Sequence, residues 1–138
     1  MELVAAIFVV ISILAAGFIL GYNRDRSYYT TILIVIALIY VLFGFMEGSV
    51  HRIVTESLIA SVFIIAAIFG GKISHIITGL FLILHGLFGF LHPRILPGNA
   101  VPVWYPEFCL YVDLMLGLSV ILLSIKGYLS ISEHRSQK

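Results

Sequence analysis

Residues 28–46 read YYTTILIVIALIYVLFGFM without a single charged side chain, between the polar runs Asn23-Arg24-Asp25-Arg26-Ser27 and Glu47-Gly48-Ser49. A helix of about 20 predominantly apolar residues crosses roughly 30 Å of hydrocarbon, so this stretch reads as a membrane span. The pattern recurs on both sides of it. The spacing predicts spans over about 3–22, 28–46, 52–69, 73–92 and 107–128. Gly70-Gly71-Lys72 is expected to break the third from the fourth, and His92-Pro93 to end the fourth, because proline disfavours further helix. Residues 93–106 then form the one long loop, with all four prolines and the pair Trp104-Tyr105, before Glu107 opens the last span. The tail after residue 128 is polar, and His134 in it reads as a solvated side chain.

Composition agrees. Of 138 residues, 61% are apolar and 11% charged, where a soluble domain carries about a quarter charged. That excludes a water-soluble globule, a disordered chain and a disulfide scaffold, and the single Cys109 forms no internal bridge. A net charge of +1, scattered along the chain, leaves no footprint for nucleic acid. The fold class is therefore an all-α polytopic integral membrane bundle of five transmembrane helices, one domain over 1–138, with membrane lipid as its solvent. Met1-Glu2 lacks the positive flank of a signal peptide, so the first apolar run is expected to remain as a span. An odd number of spans cannot divide into equal halves; an inverted-repeat transporter would need a homo-oligomer.

Ionisable residues inside a bilayer cost about 2.5–3.5 kcal/mol each and mark candidate sites. At about 1.5 Å per residue, Glu56 lies roughly 6 Å, His85 roughly 10–12 Å and Asp113 roughly 10 Å from the same membrane face. Nearer that face come Glu47, His51, His92 and Cys109. On the fourth helix His75, Thr78, Leu82, His85, Gly89 and His92 follow a 3-4-3-4-3 spacing and share one stripe, which must face protein. His75, near Lys72, reads as an interfacial histidine, and the first helix as scaffold.

Imidazoles with carboxylates are the usual ligands of zinc and non-haem iron. The expected shell takes one ligand per helix, Glu56, His85 and Asp113, with His92 completing it and Glu47 and His51 as further candidates. No HExxH motif accompanies them, and bis-histidine haem ligation fails because only His85 is deep on this side. The same groups also suit metal-free acid–base chemistry on a lipid-like or sterol-like small molecule entering sideways. The plainer alternatives are a structural polar knot neutralised by Arg52 or Arg94, and a non-catalytic assembly subunit. Trp104, Tyr105 and Cys109 read either as belt aromatics and packing, or as a proline-stiffened lid contacting substrate over His92 and His51.

The stretch His85-Gly86 to His92-Pro93, followed by Val101-Pro102-Val103-Trp104-Tyr105-Pro106-Glu107-Phe108-Cys109 and Asp113, resembles an uncharacterised family of small polytopic membrane proteins. Its pattern pairs HGxxDxxH with VPxWxPxFCxxxD. Here Gly89 stands where the family carries aspartate, which removes one ligand. A looser likeness, in helix number and acid-plus-histidine content, is to the emopamil-binding sterol-isomerase family, and it implies a sterol-like ligand.

Orientation follows from the positive charges: Arg24, Arg26, Lys72, Lys126, Arg135 and Lys138 fall on one side, Arg52 and Arg94 on the other. The N-terminus is expected outside and the C-terminus in the cytoplasm. A reporter fused after Lys138 should be cytoplasmic and one inserted at Gly98 extracytoplasmic; a cytoplasmic signal from Gly98 would reverse the assignment.

Overall fold

The computed structural model describes residues 1–129, and His134, Arg135 and Lys138 lie outside them. Five helices follow in order: α1 (Glu2–Ile19), α2 (Arg26–Glu47), α3 (Val50–Ile73), α4 (His75–Ile95) and α5 (Tyr105–Ile125). Each is long and apolar enough to cross a membrane. The chain is thus the expected all-α bundle, with large apolar side chains such as Phe8, Leu42, Leu58 and Leu122 turned outward, as lipid requires.

The helix ends sit where short polar side chains satisfy free backbone groups. Asp25 caps α2 by accepting from Ser27 N–H at 2.8 Å, and that bond holds its carboxyl below the usual carboxylate range. Gly48, at φ 69°, ends α2 in the left-handed conformation that favours glycine, and Ser49 caps α3.

Two boundaries correct the sequence expectation. Gly70-Gly71-Lys72 does not break α3. These glycines give room: a Cβ on Gly70 would lie 2.8 Å from Thr78 Oγ1, and one on Gly71 would meet the hydroxyl of Thr30. Ser74 makes the break instead, in an extended conformation that ends α3 and caps α4 through its hydroxyl. Nor does α4 stop at His92-Pro93; it continues to Ile95. Proline lacks the N–H that would have bonded the carbonyl of Gly89 four residues earlier. That carbonyl accepts instead from the Tyr40 hydroxyl of α2 at 3.1 Å. At the other end His75, expected at the interface, is buried against the ring of Tyr29.

Helix α4 packs against α5, α3 and α2, α2 packs against α3, and α1 rests on α5. The α4–α5 seam is the closest. A Cβ on Gly79 would stand 2.8 Å from the Gly117 carbonyl, and one on Gly117 2.7 Å from the Gly79 carbonyl. Gly86 in turn lies against the Asp113 Cβ. Because the opposing atoms are backbone, Gly117→Ala should force the helices apart and lower stability by about 1–3 kcal/mol, read as a lower unfolding midpoint in detergent titration. An unchanged midpoint would mean the seam is looser than described.

Candidate functional site

The polar stripe of α4 is partnered by two neighbouring helices, and it forms two pairs one heptad apart. Deeper in the bundle, His85 Nδ1 is 2.7 Å from Asp113 Oδ2 of α5. Four residues earlier on α5, the Cys109 thiol donates to the same Oδ2 at 3.3 Å. The rings of Phe63 and Tyr40 close the sides of His85, with centroids at 4.8 and 6.2 Å. All three polar residues are buried, and Asp113 Oδ1 has no hydrogen-bond partner among the described residues.

Toward the long loop, His92 Nε2 is 2.7 Å from Glu56 Oε1 of α3. Arg52, one turn before Glu56, stands 3.6 Å from that carboxylate. Its Nε donates to Glu47 at 3.2 Å and its Nη2 to the Leu96 carbonyl at 2.8 Å. One buried guanidinium thereby joins the end of α2, the body of α3 and the loop after α4. The Tyr40 ring separates the two pairs, 4.3 Å from His92.

The expected shell is therefore divided. His85 and Asp113 meet as anticipated, but Glu56 does not join them. Side chains lean toward the N-terminus of their helix. In antiparallel α3 and α4 this carries Glu56 toward the loop and His92 away from it, so the two meet each other. The side-chain N, S and O atoms of His85, Cys109 and Asp113 lie within 4.8 Å of one another, and among the described residues this is the group whose donor atoms could hold a metal ion. Cys109 takes the place assigned to Glu56. Its signal was present as the i,i+4 spacing to Asp113, which puts both on one helix face. Glu47 is engaged by Arg52, and His51 stays exposed at a rim cleft with Leu96 and Pro97.

Of the loop aromatics, Tyr105 reaches inward, buried edge-on against Tyr40 and Phe43. Trp104 does not lie over His92 and His51. It is 53% exposed, stacks edge-on with Tyr105 and Phe108, and borders a groove with Met1 and with Val4 and Phe8 of α1. His92 is instead enclosed by Glu56 and the rings of Tyr40 and Phe88. Position 89, glycine here, faces the site: a Cβ would lie 3.0 Å from Tyr40 Oη and 3.6 Å from Cys109 Sγ.

A cavity of about 320 Å³ between α1, α2 and α5 reaches this site from the side, lined by Val9, Ile13, Ile32, Ile36, Cys109 and Asp113 among others. Comparison with protein-family models, with curated proteins and with solved structures finds no match to this chain.

The two carboxylates of the Arg52 network differ in burial, and so should their weight. Glu56→Ala strands a buried guanidinium and imidazole and should cost about 3–5 kcal/mol. Glu47→Ala, at the exposed rim, should cost under about 1 kcal/mol. Equal losses in unfolding titrations would show that the rim pair anchors Arg52 as strongly as Glu56 does.

Proposed function

We propose that this protein is a membrane metal-binding protein whose ion is held by His85, Cys109 and Asp113 at the α4–α5 seam. The observation that carries the reading is the convergence of an imidazole nitrogen, a thiol sulfur and a carboxylate oxygen in a buried, water-poor place, with Asp113 Oδ1 unpartnered. Nitrogen with thiolate and carboxylate is a ligand set for zinc and also for iron. A tetrahedral ion with bonds of about 2.0–2.3 Å keeps its donor atoms roughly 3.4–3.7 Å apart. The Cys109–Asp113 separation of 3.3 Å is close to this, and the His85–Asp113 separation of 2.7 Å requires a side-chain opening of under about 1 Å. The His92–Glu56 pair serves as a neighbouring shell between the ion and the long loop, and the family resemblance, which runs through His85, Cys109 and Asp113, points to the same residues.

A second reading rests on the lateral cavity. Its walls are aliphatic and aromatic, and its floor is Cys109 and Asp113, as acid–base work on a lipid-like or sterol-like molecule requires.

Purified protein should retain about one equivalent of zinc or iron per chain. Cobalt added to the apo form should give a thiolate-to-cobalt charge-transfer band. His85→Ala and Cys109→Ala should lose the metal and the band, while His75→Ala, at the other end of α4, keeps both. Equal metal content in all variants would reject the metal reading, and a tightly held lipid without metal would favour the second.

A further inference from the structure

At the opposite end of the bundle from the long loop, α2 and α4 carry five buried polar side-chain atoms without a hydrogen-bond partner among the described residues. They are Nε of Arg26, Oη of Tyr29, Nδ1 and Nε2 of His75 and Oγ1 of Thr78. Tyr29 and Thr78 are 0% exposed and His75 4%. Buried polar groups in folded proteins are nearly always paired, and a lipid surround offers no water to relieve them. Five such atoms in one place therefore mark a site for something that brings hydrogen-bonding atoms with it.

The four side chains are neighbours. The Tyr29 ring meets the His75 ring edge-on with centroids 6.2 Å apart. Thr78 follows His75 by one helical turn, and Arg26 precedes Tyr29 by one. The Arg26 guanidinium reaches across the end of α3 to donate to the Lys72 carbonyl, three residues before His75.

The charge around this nest is mainly positive. Arg26 is permanently positive, and α2 and α4 both begin here, so the positive ends of two helix dipoles add to it. The buried carboxylates among the described residues, Glu56 and Asp113, belong to the other site. One further carboxylate stands at the edge: Asp25, next to Arg26 and near enough to His75 for their charges to interact, is exposed and accepts its cap bond from Ser27 N–H. Lys72, also exposed, adds a second cation at the rim. Water would pair the hydroxyls but bring no negative charge to Arg26 and Lys72.

We infer that Arg26, Tyr29, His75 and Thr78 form a second site, independent of the metal centre, that binds the anionic oxygens of a phosphate group, either free or carried by a phospholipid headgroup. Arg26 supplies charge and one donor, the two hydroxyls donate to oxygen, and His75 donates from whichever ring nitrogen carries its proton.

The test is thermal unfolding of the full chain. In neutral detergent, inorganic phosphate is compared with chloride at equal ionic strength; in phosphatidylcholine discs, the comparison is with and without phosphatidic acid. A ligand that binds only the folded state raises Tm. A rise of several degrees with inorganic phosphate supports a free anion, and a rise with phosphatidic acid alone supports a headgroup. In either case Tyr29→Phe and Arg26→Gln should abolish it. Tyr29→Phe removes only an unpartnered hydroxyl, so without phosphate it should be at least as stable as the wild type, which separates lost binding from misfolding. The inference is overturned if neither phosphate source raises Tm above its control, or if both variants keep the full rise.

Discussion

A stripe of polar side chains on a membrane helix cannot face hydrocarbon, and the rest of this bundle is arranged around that constraint. Helix α4 carries three histidines, a threonine and several glycines along one line, so other helices must cover it. The glycines set how close they come. Gly79 against Gly117 and Gly86 against Asp113 bring α5 near enough for its carboxylate to reach His85 directly. Helix α3, with its partners on the other side of the stripe, brings Glu56 to His92. Neither buried carboxylate is left to face lipid.

Pro93 ties the two pairs together. Its missing N–H frees the Gly89 carbonyl, and the Tyr40 hydroxyl takes that bond, which places the tyrosine ring between His85 and His92. Glycine at position 89 is what admits the ring. A residue that looks like a helix stop in the sequence thus seats an aromatic partition between two ionisable pairs. Arg52 has a comparable role at the loop end, where one guanidinium joins α2, α3 and the segment after α4.

The two ends of α4 differ in electrical character. Near the long loop, carboxylates outnumber the one buried arginine, and their partners are histidines and a thiol, groups suited to a cation. At the other end, the unpartnered side chains of Tyr29, His75 and Thr78 lie near Arg26 and two helix N-termini, the basis for the anion site proposed above. Between them lies an apolar core in which Leu33, Ala67, Leu82 and Leu116 are fully buried.

Five spans, the all-α class, the burial of the α4 stripe and the candidacy of His85 and Asp113 were legible from hydropathy and spacing, because both periodicities are local and a lipid solvent allows few exceptions. Ser74 as the break, with α3 running on through Gly70 and Gly71, was not, since a glycine that loosens a helix and one that admits a neighbour look alike until the neighbour is present. Depth along separate helices brought Glu56 level with His85, yet Glu56 paired with His92. Which side chains converge depends on how antiparallel helices are staggered and which way each Cβ leans, and only tertiary packing decides that. The same packing placed Cys109 beside His85 and Asp113, turned Trp104 outward and left His75 buried beside Tyr29.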